Sequence, residues 1–92
     1  MCTSIVEIVD VEGAGKRGGD WFGLTRAVVA YDHPHHALLE EAIAIDFVND
    51  ALGASARAAV ELSLGSAKAL CGALARAIAA AEREEAARVR GA

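Results

Sequence analysis

Residues 56–74 read ARAAVELSLGSAKALCGAL, and the hydrophobic period changes in the middle of them. Up to Leu62 the pattern has period two. Ala56, Ala58, Val60 and Leu62 share one face while Arg57, Ala59 and Glu61 share the other, as in a strand. From Leu64 onward the spacing is helical: Leu64, Ala67, Leu70/Cys71, Leu74, Ala77/Ile78 and Ala81 recur on one side. Ser63 stands at the change, where a serine caps a helix N-terminus. This predicts a strand over about 56–62 and a helix over about 64–88, fraying through EREEAARVR at 82–90. Gly72 in mid-helix costs about 1 kcal/mol against alanine, which suits close contact with a neighbour.

Working upstream, NDALGAS at 49–55 is a turn, and LEEAIAIDFV at 39–48 alternates, with Leu39, Glu41, Ile43, Ile45 and Phe47 on one face. WFGLTRAVVAYD at 21–32 and TSIVEIVDV at 3–11 are strand-like, separated by a glycine-rich loop, EGAGKRGGD at 12–20. That loop holds a lysine but lacks the Gly-Lys-Ser/Thr ending of a phosphate loop. Four strands with short connections, then a helix, predict a single α+β domain. Its architecture is a four-stranded antiparallel meander followed by one long C-terminal helix packed on one face. The first two strands are apolar on both faces. One helix covers one face only, so a second copy of the chain is the economical cover for the other. A homo-oligomer is expected.

Composition narrows the classes. Of 92 residues, 54% are hydrophobic but only 4% aromatic, so much of the apolar content is alanine, which fills little volume. Net charge is −4 and no Lys/Arg stripe tracks a phosphate backbone, which argues against nucleic-acid binding. The apolar runs read as too short and too interrupted by charge to span a bilayer. With two cysteines, Cys2 and Cys71, and no secretory signal read ahead of them, a cytoplasmic protein with reduced thiols is expected. Cys71, on the apolar side of the helix, is expected to be a packed core thiol.

Chemistry concentrates in YDHPHH at 31–36, which holds all three histidines and the only proline. Closing the hairpins symmetrically brings Cys2, Asp32, His33, His35, His36, Glu40, Glu41 and the helix start to one end of the sheet. Imidazoles two apart in His33-Pro34-His35 suit a transition metal, Zn, Cu or Ni, and a nearby carboxylate serves as third ligand or as acceptor fixing the tautomer. Cys2, exposed by removal of Met1, would add an amine and a thiol. The metal set read here is His33, His35 and Cys2; the catalytic set is His33, Asp32 and Cys2. The bland alternative is three solvated turn residues. Asp46 and Glu61 read as solvent or interface charges, and Trp21, Phe22 and Phe47 as core or interface.

MCTSIVE at the start, TRAVVAYDHP, IDFVN and ARAAVELS together resemble a family of small actinobacterial proteins of unknown function. The resemblance spans nearly the whole chain. It implies that the Met-Cys-Thr opening and the Asp32-His33-Pro34 step are family features, followed by an Ile-Asp-Phe strand and an Ala-rich helix; it implies no activity. His35 and His36 fall outside that pattern, which leaves Cys2, Asp32 and His33 as the favoured set. The functional expectation is a site at one sheet end for a transition metal or small metabolite, with His33 as ligand or general base and Asp32 orienting it. Simple acid/base or metal-assisted chemistry in a biosynthetic pathway would follow, though no motif decides whether the chain is an enzyme. The alternative is a non-catalytic assembly protein.

Overall fold

The structure is a computed structural model and describes residues 5–91. Strands β1 (Val6–Arg17), β2 (Asp20–Asp32), β3 (Ala42–Val48) and β4 (Arg57–Leu62) form one antiparallel sheet in the order β1-β2-β3-β4, and helix α1 (Leu64–Gly91) follows. The α+β meander expected from the sequence is the fold observed.

The first hairpin is longer than its composition predicts. The glycine-rich segment, expected as a loop over 12–20, is strand: Lys16 pairs with Trp21 and Arg17 with Asp20, leaving Gly18-Gly19 as a two-residue turn. Gly18 alone of that pair has positive φ, 60°, the pattern of a type II′ turn, whose twist suits a hairpin. Gly15 suits the pairing because an added Cβ would meet Leu24 Cδ2 at 3.0 Å. Between Asp10 and Gly13 the register slips, so that Val11 and Glu12 oppose Thr25 in a bulge. Glycines on a strand carry no alternation, so the period-two signal stops at Val11 although the ladder does not.

At the far end of β3, Asn49 builds the next turn. Its Oδ1 accepts the Ala51 and Leu52 N–H groups at 3.0 and 3.2 Å, and its Nδ2 donates to the Gly23 carbonyl at 2.7 Å. Gly53 supplies the left-handed residue, φ 90°. Arg17 donates to the Ser55 carbonyl, tying that turn to the β1–β2 hairpin.

The sheet has two unlike faces. One carries Ala27, Val29, Tyr31, Ile43, Ile45 and Phe47 together with Ala58, Val60 and Leu62, in cross-strand register. The other carries Asp32, Asp46, Arg57 and Glu61 among Ala30, Ala44 and Ala59, with Val6, Ile8, Val28 and Val48 towards β1 and the β3–β4 turn. Ser63 caps α1 as expected, its Oγ accepting the Ser66 N–H at 3.1 Å, and it is the only residue between β4 and the helix. Contact of α1 with the sheet is confined chiefly to β3 and β4, and no helix residue is buried. Cys71, expected in a core, is exposed. Gly72 meets no neighbouring element; the Arg76 guanidinium folds over it instead. Among the described residues only Ala27, Ala42 and Ala56 are buried.

Candidate functional site

Three anchors shape the end of the sheet where β2 passes to β3. Asp32, the last residue of β2, accepts the backbone N–H of His33 on Oδ1 at 2.8 Å. The His33 ring turns towards the start of β3: its Nδ1 lies 3.0 Å from Glu41 Oε1 and 3.2 Å from the Glu40 carbonyl. Both neighbours are acceptors only, so Nδ1 is the nitrogen placed to donate, and in the neutral ring the lone pair is on Nε2. Glu41, rather than Asp32 as expected, therefore orients the imidazole; Asp32 holds its backbone. The ring is 59% exposed, open to a ligand.

The third anchor is Glu61 on β4. Its carboxylate accepts three consecutive backbone N–H groups, from His35 at 2.7 Å and from His36 and Ala37 at 2.8 Å each. Consecutive amides converging on one anion form a nest. The N–H bonds of His35 and then Ala37 dominate, with that of His36 and its ring charge adding, and they hold the Glu61 carboxyl down from 4.5 to about 2 against a smaller opposing effect of burial. Glu61 is thus no idle surface charge, and nothing in the sequence singles it out, since its partners lie 24–26 residues away.

Between this loop and the β3–β4 turn lies a cleft of about 1210 Å³ across the polar face of the sheet, rimmed by His33, His35 and His36 on one side and by Ala54 and Ser55 on the other. Its floor is Ala30, Ala44 and Ala59. Methyl-sized side chains on three neighbouring strands give it depth. One fixed polar feature crosses the floor: Arg57 Nε and Nη2 both reach Asp46 Oδ1 at 2.9 Å. Asp46, read from sequence as a surface charge, is half-buried there.

Cys2 lies outside the described residues, so the expected approach of its thiol to His33 and His35 does too. Among the described residues no group of three or more His, Cys, Asp or Glu side chains is arranged to hold a metal ion. His35 is fixed through its backbone, and the free imidazole nitrogen that the hydrogen bonding defines is Nε2 of His33.

A model of a family of unknown function matches residues 1–87. The chain belongs to that family, DUF6295. No curated protein and no solved structure matches it. Membership agrees with the uncharacterised family resembled by the sequence.

Proposed function

We propose that the chain binds a small polar metabolite in the alanine-floored cleft, with His33 Nε2 as the group that acts on it. The observation carrying this reading is the paired restraint on His33: Glu41 holds Nδ1 at 3.0 Å and Asp32 holds the backbone. A carboxylate–imidazole pair leaves the far nitrogen basic and aimed, which serves proton abstraction and transition-metal ligation alike. The Arg57–Asp46 pair offers donors and acceptors for a polar ligand on the floor. Proton transfer through His33 is the simplest chemistry the site supports, and a Zn, Cu or Ni ion on Nε2 with outside ligands is the variant of it.

Nitrogen NMR of the side chain tests the premise. The neutral His33 ring is expected as the Nδ1–H tautomer, and Glu41→Ala is expected to move it towards the Nε2–H tautomer common in free imidazole. Thermal-shift screening of untagged protein against metabolites and against Zn, Ni and Cu tests the function. Ligand shifts that vanish in His33→Ala, with the far-UV spectrum intact, support the proposal. Identical responses in wild type and His33→Ala, together with an Nε2–H ring in the wild type, overturn it and leave a non-catalytic assembly protein.

A further inference from the structure

The geometry points to a reciprocal dimer in which the apolar stripe of α1 from each chain covers the apolar sheet face of the other. This inference rests on none of the His33 geometry.

Surface area carries it. A compact monomer of 9.5 kDa exposes about 5,000 Å²; this chain exposes 7019 Å². The radius of gyration is 16.0 Å, against about 12 Å for a compact domain of this length. The excess of about 2,000 Å² per chain exceeds the roughly 800 Å² that each partner buries in a stable interface, so the missing cover has the size of a protein surface. Its character fits as well. Leu64, Leu70, Leu74 and Ile78 are each at least half exposed along one side of the helix, and Val9 and Val60 are 56% and 45% exposed on the apolar sheet face. The helix stripe and this sheet face are thus both apolar and only partly covered, although Val6 and Ile8, 45% and 57% exposed, add apolar surface on the opposite face.

Self-cover within one chain is blocked by the elbow. One residue, Ser63, joins β4 to α1, and the capping bonds from Ser66 and Ala67 back to Ser63 fix the direction in which the helix leaves. The helix is about 42 Å long and meets the sheet chiefly at β3 and β4, of which β3 reaches only about 24 Å. A second copy, turned by a two-fold axis, brings a helix to each face and closes the arrangement without leaving a sticky end.

A lipid bilayer is the competing occupant. Contrary to the expectation that the apolar runs are too short, Leu64–Gly91 is long enough to span one, with a mean hydropathy of 1.3 over 18 residues, because alanines fill the gaps between leucines. Lys68 and Arg76 break that stretch off the apolar side, where a protein partner leaves them in water and hydrocarbon does not.

Sedimentation velocity at micromolar concentration is expected to give twice the 9.5 kDa chain mass. Mass spectrometry of alkylated protein is expected to show Cys71, which lies in the stripe, reacting roughly tenfold slower in wild type than in a dissociated variant. Leu74→Glu and Ile45→Glu should each give monomers, and mixing the two should restore a dimer, because one intact helix and one intact sheet face then meet. Failure of the mixture to dimerise overturns the reciprocal arrangement in favour of like-with-like contact. A monomeric wild type with rapidly alkylated Cys71 overturns it outright. So does protection of Cys71 seen only on phosphatidylcholine vesicles that float the protein. Should either variant fail to fold, the wild-type mass and Cys71 protection decide.

Discussion

Glu61 shows how much one carboxylate settles. Three amides of the β2–β3 loop would otherwise have water as their partner; instead they share one anion on the neighbouring strand. The linkage sign follows from the direction of the shift. The carboxyl is held below its ordinary value, so its stabilisation is complete above pH 4.5 and is lost as pH falls towards about 2. Glu61→Gln replaces an acceptor-only anion by a group with one accepting oxygen and a donating nitrogen that faces N–H donors. We expect that variant to melt several degrees lower than wild type at pH 7, and the gap to close as both are acidified through that window. Amide exchange at His35, His36 and Ala37 should quicken in parallel. A gap that is constant from neutral pH to about 2 would mean that the nest contributes nothing.

Among the elements, β3, β4 and the start of α1 were legible because each follows a single period and ends on a recognisable cap or turn residue. Ile43, Ile45 and Phe47 alternate as written, and Ser63 caps as its position implies. The glycine-rich half of the first hairpin was not legible. Gly13 and Gly15 have no side chains with which to mark a face, and only the tertiary pairing to Trp21–Leu24 makes that segment a strand. Within the site, His33 was legible from its company of Asp and Pro. Glu41 as its orienting partner and Glu61 as the anchor of the loop were not, because each depends on where the chain returns. The helix invites one prediction of its own. At Gly72 an added Cβ meets only the end of the flexible Arg76 side chain, at 3.2 Å, and the position lies off the leucine stripe. Gly72→Ala is therefore expected to stabilise the protein by roughly 0.5–1 kcal/mol, read as a higher midpoint in urea with unchanged oligomeric mass. A loss of stability would place Gly72 against a neighbouring backbone.

For the whole molecule, the outstanding property is how little is inside it. Among the described residues three alanines make the buried core, which is too small to hold a fold of this size, given that each ordered residue costs about 1–2 kcal/mol of backbone entropy. In the proposed dimer the interface supplies the missing burial, and mass action then applies. The melting temperature of the wild type should climb with protein concentration, and a monomeric stripe variant such as Leu74→Glu should show no such dependence. Scanning calorimetry over a hundredfold range of concentration checks this. A wild-type transition that is independent of concentration would return the burden to the monomer.

Mechanically, the junction at Ser63 is a stiff elbow carrying a long arm. Glu61 grips the histidine loop two positions before it, and α1 departs one position after it. Because the elbow is stiff, a change of about 10° in the strand beneath it carries the far end of a helix about 42 Å long through roughly 7 Å. For a ligand bound in the cleft as proposed, the tip of the helix, carrying Arg88 and Arg90, is where a displacement at the histidine loop would be read out largest.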